Sequence, residues 1–387
     1  MGLLLMAGCA NLEKQEIINN GFIKHTLTED FISEGVAVGD VNQDGNIDIM
    51  AGSFWFEAPS WRRHEIDSGR TYDPDTEYSN SFLNFSGDIN QDGWVDLIVI
   101  GFPAESAIWY ENPKNEPGHW RKHFIYKPVA NESPAFVDMD GDGRKDLLFA
   151  DSNDGQMIWL KSPIDKNNLT WKKFAISEKD APGTKKFSHG LGYEDINGDG
   201  YKDVLIKDGW WEGIEDATQP NWVFHPVSIS DNCSQMFAMD VNGDGKSDII
   251  SGSAHLSGIW WHEQVTNSDG EIDFQTHVMS YAFAESHALI LADINNDGHN
   301  DIVTGKRNLK RGTWRKNPGT DGPPLLYWFE FTPGVEPYWI AHEIDSGSGA
   351  GLNIAIEDIT RDGLIDFVIA NFKGVFLFEN RISMSEK

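Results

Sequence analysis

One acidic nine-residue loop is written seven times along these 387 residues, and it constrains the fold more than any other feature. Positions 1, 5 and 9 are Asp in every copy. They are Asp40, Asp44 and Asp48; Asp88, Asp92 and Asp96; Asp138, Asp142 and Asp146; Asp195, Asp199 and Asp203; Asp240, Asp244 and Asp248; Asp293, Asp297 and Asp301; and Asp358, Asp362 and Asp366. Position 3 is Asn42, Asn90, Asp140, Asn197, Asn242 and Asn295, with Thr360 in the last copy. Position 6 is always Gly.

Alternate positions of a tight loop can turn their oxygens toward one point, and a glycine at position 6 supplies the φ > 0 that wraps the turn. A flexible cage of hard oxygens suits Ca²⁺ better than Zn²⁺. The loops are therefore expected to hold up to seven structural Ca²⁺ ions. An EF-hand is excluded, because it needs Glu at position 12 and flanking helices, whereas β-rich runs such as Val204 to Ile206 follow these loops. Asx turns joining strands without metal are the plainer alternative; seven matched copies favour the metal.

The formal charge is −30. Much of it is expected ligand, and its sign argues against nucleic acid or an anionic membrane surface as partner. Two cysteines, Cys9 and Cys233, make no disulfide framework. The run from Met1 to Cys9 is apolar and ends Ala7-Gly8-Cys9, which resembles a bacterial lipoprotein signal. That resemblance implies residues 1–20 as signal and tether, a lipid anchor on Cys9, and a place in the bacterial cell envelope, periplasmic or on the outer-membrane surface. No other stretch approaches the ~20 apolar residues of a membrane span.

Loop starts lie 45 to 65 residues apart, the period of propeller blades. After each loop comes an apolar strand, such as Asp48 to Ala51 or Asp96 to Ile100. An aromatic strand follows, such as Phe54 to Glu57, Trp210 to Glu212 or Trp260 to Glu263, and then a polar strand such as Trp61 to Ile66 or Trp120 to Ile125. A strand of small residues, such as Gly35 to Gly39, precedes the loop. Four radially stacked strands per unit predict an all-β, seven-bladed β-propeller, one domain over residues 21–387. Six outer strands follow their loops; the seventh, Phe22 to Leu27, precedes the first loop, and Gly374 to Glu379 has none after it. The N-terminal strand is thus expected to complete the last blade and remove the free edges.

Over residues 21–381 these loops and strands resemble the FG-GAP, or VCBS, repeat proteins. That resemblance implies a seven-bladed propeller with a calcium loop between the first two strands of a blade. It implies little about activity, since propellers host binding and catalysis alike.

Function must lie where the blades differ. His25, His64, His123, His225, His277 and His342 share one outer-strand position and read as a structural constant. His299 lies inside a loop, His119 in a turn and His262 on an aromatic strand. His189 and His287 stand six residues before a loop, at the channel mouth opposite the calcium loops, and Glu34 and Glu132 hold the same register. The turn between second and third strands opens on this face with Lys207, His255, Lys306, Arg307, Asn371 and Lys373. The insertion Arg70 to Asn80, with Tyr72 and Tyr78, is expected over the mouth. A hydrated rim without ligand is the bland reading. Lys306 beside Arg307 reads instead as an anion-binding pair.

Ser188-His189-Gly190, Gly209 to Glu212, Glu285-Ser286-His287, Thr304 to Arg307 and Gly347 to Gly349 resemble the propeller of the aldos-2-ulose dehydratase group and, more broadly, propeller-built polysaccharide lyases. The chemistry this implies is β-elimination on an acidic oligosaccharide or polysaccharide. A base removes the C5 proton of a uronate, the C4 substituent leaves, and cations neutralise the growing enolate charge. His189 or His287 is the expected base, Arg307 and Lys306 the charge partners, and Tyr72 or Tyr78 the donor to the leaving group. His255 completes the catalytic set; Glu34, Glu132, Lys207, Asn371 and Lys373 are expected to bind substrate. The three histidines could instead hold an additional divalent metal that polarises the carboxylate. A non-catalytic surface binder of glycans or protein, and a plain scaffold, are the alternatives. Cys233 reads as packing.

Overall fold

Each acidic loop folds because its own carboxylates cap its own backbone. The position-1 Asp accepts the N–H of the position-6 Gly at 2.8–3.0 Å in all seven copies. The position-5 Asp accepts the N–H of position 7 at 2.7–3.0 Å. The position-6 glycines take φ of 84–91°. Position 4 is left-handed as well, in Gln43, Gln91, Asn296 and Arg361 at 55–59° and in glycine elsewhere.

The position-9 Asp does something different. Its Oδ2 accepts the N–H of position 2 in six copies, and of Thr360 at position 3 in the last, at 2.7–3.3 Å. Its Oδ1 accepts an N–H within two residues of the end of the third strand at 2.7–2.8 Å. All seven are buried, 1% exposed or less. This aspartate is a staple between loop and blade, satisfying two N–H groups that would otherwise be orphaned.

The computed structural model describes residues 16–18, 20–164, 166–307 and 321–382. Among them there is no helix, and the strands form seven four-stranded antiparallel units. Blade one runs Ala37–Gly39, Asp48–Ala51, Phe54–Glu57 and Arg62–Glu65. Blade seven joins Ile354–Glu357, Asp366–Asn371 and Gly374–Asn380 to the N-terminal Phe22–Thr28, so the ring closes as the strand count predicts. Glu16–Ile18, inside the stretch read as tether, pairs with that strand as a fifth. Apolar side chains fill the gaps between blades, as where Leu148 and Trp159 meet Val204 and Trp211.

The outer-strand histidines behave as a blade constant. Each ring nitrogen Nε2 lies 2.7–3.0 Å from a third-strand glutamate: His25–Glu379, His64–Glu57, His123–Glu111, His225–Glu212, His277–Glu263 and His342–Glu330. Five of the rings stack on a tryptophan at 4.2–4.4 Å. Blade three puts Phe174 there, stacked on Trp159 at 4.6 Å. Stacking area is therefore what the position requires. His123→Phe is expected to change stability by less than about 1 kcal/mol, because only a partly exposed hydrogen bond is lost; a chemical denaturation midpoint checks it.

The innermost strands line a central cavity of about 410 Å³, walled by Val38, Phe85, Phe136, Tyr193, Phe237 and Ile290. Gln235 bridges three blades around it, donating to the Leu352 carbonyl at 3.0 Å and accepting from Leu289 N–H at 3.2 Å.

Candidate functional site

The residue six places before each loop starts an innermost strand, so seven such residues ring the channel. In order they are Glu34, Phe82, Glu132, His189, Ser234, His287 and Leu352. Four carry ionisable side chains, and the fold gathers three of them. Glu132 Oε2 lies 3.5 Å from His189 Nε2 and 3.8 Å from His287 Nε2. His255, from the turn between the second and third strands of blade five, puts its ring 4.6 Å from that of His189 and 5.2 Å from that of His287.

Both register histidines are oriented by the same local device. The ring of His189 bonds the backbone of Phe187. His287 Nδ1 lies 3.5 Å from the Glu285 carbonyl. Phe187 and Glu285 each stand two residues before their histidine, and each takes φ of 65°. Such a conformation is costly for a residue with a side chain and recurs at functional sites. A ring nitrogen anchored on a carbonyl is a donor, which leaves Nε2 with its lone pair. His189 Nε2, His287 Nε2 and Glu132 Oε2 are all buried without a hydrogen-bond partner.

Arg307 closes the cluster. It donates to Glu34 Oε1 at 2.6 Å, lies 3.8 Å from Glu132 Oε2 through Nη1, and sits over the rings of Phe82 and Tyr78 at 5.1 and 5.8 Å. Ser79 N–H and Oγ hold the other oxygen of Glu34 at 3.3 Å. Glu34→Ala is expected to cost about 3–5 kcal/mol, since it leaves a buried guanidinium without its main partner; the denaturation midpoint checks it.

Burial sets the charges. It raises the Glu132 carboxyl above its ordinary range, opposed by Arg307 and His255. It depresses His189 to about 4 and His287 well below 6.5. It opposes the charge of Arg307 too, but Glu34 and Glu132 outweigh it. The imidazoles are thus neutral near pH 7. In the unfolded chain they take up protons near pH 6.5, while folded His189 does so only near 4. The stability tied to His189 is complete above pH 6.5 and lost as pH falls toward 4.

The other expected site residues fall elsewhere. Lys306 is buried with its ammonium on the Gly322 carbonyl at 3.0 Å, so Lys306 and Arg307 point apart and form no anion-binding pair. Tyr78 lies in the site beside Arg307. Tyr72 packs on Phe31 and lines a separate groove of about 420 Å³ with Arg70, Asp67, Tyr110 and Lys122. Lys207 pairs with Asp208 at 2.8 Å. Asn371 holds its own turn, donating to the Ser348 carbonyl and accepting from Lys373 N–H, while the Lys373 side chain is exposed. Cys9 lies outside the described residues. Cys233 is fully buried, and burial pushes its thiol up to about 12, as packing requires. His262 is buried between Ser251 and Thr276 hydroxyls. The anchoring roles of Phe187 and Glu285 escaped sequence reasoning; the parallel Phe187-Ser188-His189 and Glu285-Ser286-His287 was the available signal.

The acidic loops suit a hard cation. Asp40 Oδ1 and Asp140 Oδ1 are buried without hydrogen-bond partners, and ligand oxygens of Asp138, Asp140 and Asp146 lie within 4.8 Å of one another. Four position-5 carboxylates carry a basic side chain: Lys114 on Asp92 at 3.0 Å, Lys161 on Asp142 at 2.7 Å, Lys246 on Asp244 at 3.0 Å and Arg381 on Asp362 at 3.0 Å. A cation entering those loops competes with them.

The chain carries FG-GAP-like repeats, matched at residues 88–149, 138–206 and 240–304, on a seven-bladed β-propeller. No curated protein matches it significantly. Solved structures share the fold at low identity. A lectin of Agrocybe aegerita that recognises non-reducing terminal N-acetylglucosamine is 15% identical, with a TM-score of 0.47 over 92% of this chain and 87% of that one. YCF48 from Cyanidioschyzon merolae is 12% identical, with a TM-score of 0.49 over 92% and 98%. A Bacillus licheniformis rhamnogalacturonan lyase is 12% identical, with a TM-score of 0.45 over 94% and 73%. These likenesses concern the propeller and carry no residue roles.

Proposed function

We propose that this propeller is a carbohydrate-active carbon–oxygen lyase that performs β-elimination on uronic-acid-containing oligosaccharides at its channel mouth. The observation that carries the reading is the gathering of His189, His255 and His287 beside Glu132 and Arg307, with the Nε2 atoms of His189 and His287 buried and without hydrogen-bond partners. Elimination next to a carboxylate has two requirements. Charge flowing onto the carboxylate must be neutralised, and a proton acceptor must be ready at neutral pH. Arg307, with Nε unpartnered, serves the first. A neutral imidazole of His189 or His287 serves the second. Tyr78, beside Arg307, is placed to return a proton to the leaving oxygen.

A sugar substituent at C4 makes the enzyme a lyase; a hydroxyl makes it a dehydratase. The acidic loops would hold Ca²⁺ through the Asp at positions 1, 5 and 9 and the residue at position 3, stiffening the opposite face and leaving the mouth chemistry to the blades' non-repeating residues. The test is a panel of uronic-acid oligosaccharides followed by the ultraviolet absorbance of a conjugated 4,5-unsaturated uronate, with calcium present. A rise with one class supports the reading, and product mass separates water loss from chain cleavage. A flat trace with saturable glycan binding would replace the lyase with a binding module.

A further inference from the structure

The turn that aims His189 also displays a side chain that the turn does not need. Phe187 takes a φ of 65° and is 44% exposed. Glu285 holds the equivalent place before His287 with the same φ, yet it is 1% exposed. The left-handed backbone therefore serves both histidines, but it asks for no aromatic ring, and glycine would adopt it at lower cost. The turn is nevertheless pinned. Phe187 N–H donates to the Ala130 carbonyl at 3.0 Å, Ser188 N–H and Oγ donate to the Lys185 carbonyl at 3.0 and 2.7 Å, and the Ser188 carbonyl accepts Glu132 N–H at 2.9 Å.

The exposed ring is the outer end of an aromatic shelf that starts inside the site. Phe187 meets Phe102 edge to face at 5.5 Å. Phe102 packs on Tyr78 at 4.8 Å and on Phe82 at 5.2 Å, and Arg307 sits over both of those rings. Lys186 stands at the outer end, with its ammonium 4.8 Å from the Phe187 ring and 5.1 Å from the Phe102 ring. It is exposed and forms no ion pair among the described residues, whereas Lys122, Lys127 and Lys207 each hold a carboxylate. An open aromatic pair beside an unmatched ammonium suits an acidic pyranose. The C–H face of a sugar ring is apolar and meets the negative face of an aromatic ring, while the ammonium takes the carboxylate as a point charge. Order along the shelf says which sugar. Tyr78 is the proposed donor to the leaving oxygen, and Phe102 lies between it and Phe187. The shelf therefore runs outward from the leaving-group side of the reacting ring.

We propose that Phe187, Phe102 and Lys186 form a subsite for a second uronate, joined through its anomeric oxygen to C4 of the reacting one. The proposal rests on the elimination reading and deepens it, because the leaving group is then a sugar and the reaction is chain cleavage. The C5–H bond gives its proton to the histidine and its electron pair to the new C4–C5 double bond. The C4–O bond breaks with its pair on oxygen, and Tyr78 protonates that oxygen, which leaves a reducing end on the sugar held by the shelf. The histidine then releases its proton to water and Tyr78 recovers one.

The probes are tetrasaccharides of galacturonate, glucuronate and mannuronate, with calcium present. Calorimetry reads binding, and ultraviolet absorbance with product mass reads turnover. The expected result is that at least one probe is bound and cleaved. Phe187→Ala and Lys186→Ala should each raise its KM at least about tenfold with kcat little changed, the pattern of an interaction made equally in the ground and transition states. Phe124→Ala removes a ring that is 65% exposed on the outer strand of blade two, and it should leave KM unchanged. Lys186 takes no part in the bonds that pin the turn, so its variant keeps the test decisive if Phe187→Ala disturbs His189. Binding of none of the three probes by the folded wild type overturns the proposal, as does a wild-type KM in both variants. Elimination that releases water alone removes the second sugar and keeps the carbon–oxygen lyase. Binding that both variants weaken, without turnover on any uronate, keeps the acidic-sugar subsite and removes the elimination.

Discussion

His287→Ala is expected to lower kcat/KM on an accepted uronate oligosaccharide at least about a hundredfold, the span that a positioned proton-transfer group contributes. The ring lost is one of the two proposed proton acceptors, set between Glu132 and His189. The fold should survive. His287 starts an innermost strand whose pairing, from Ala288 to Gly305 onward, runs through the backbone. His189→Ala should behave alike, and the double variant should fall little further, because residues acting as one unit do not add. His64→Ala removes a ring of the same kind from the outer strand, where it meets Glu57 and Trp55, and should leave turnover untouched. Steady-state kinetics beside a thermal melt of each variant separates the two classes. Equal losses from His64→Ala and His287→Ala would mean that the mouth is no more than scaffold.

Removal of calcium should be the largest perturbation of stability. A site at free calcium a hundred times its dissociation constant contributes about 2.7 kcal/mol to the folded state, and several sites act on one ring. Chelation is expected to lower the melting temperature by at least about 10 °C. The two kinds of loop aspartate should respond differently. Asp44→Ala removes a proposed calcium ligand and a turn bond to Asn46. Its cost should therefore appear mainly with calcium present. Asp48→Ala unties Val41 N–H and Ala58 N–H, both buried. It should cost about 2–5 kcal/mol even in chelator, at about 1–3 kcal/mol for each stranded donor. Melts of both variants with and without chelator test this. Equal behaviour of the two would refute the staple role of position 9.

The architecture was legible because it repeats. The Asp positions mark blade starts, and the missing outer strand after Gly374–Asn380 points to Phe22–Thr28. The register six residues before each loop was legible too, and it brought Glu34, Glu132, His189 and His287 to one mouth. Neighbouring residues in an extended turn were harder. Lys306 and Arg307 are adjacent in sequence, yet successive side chains leave the backbone on opposite sides. One lies on the Gly322 carbonyl and the other on Glu34. The bonds of position 9 to the blade were not legible, because spacing reports where an oxygen stands and only coordinates report which N–H it holds. Tyr72 followed Tyr78 into the expected site because loop order gives no direction; its ring turned to Phe31 instead.

The most direct test of elimination at this mouth uses an accepted uronate carrying deuterium at C5. The expected result is a primary isotope effect on kcat/KM, with C4–C5 unsaturation in the product and loss of both in His287→Ala. Turnover without an isotope effect, giving a saturated product, would place the chemistry elsewhere and set the elimination reading aside.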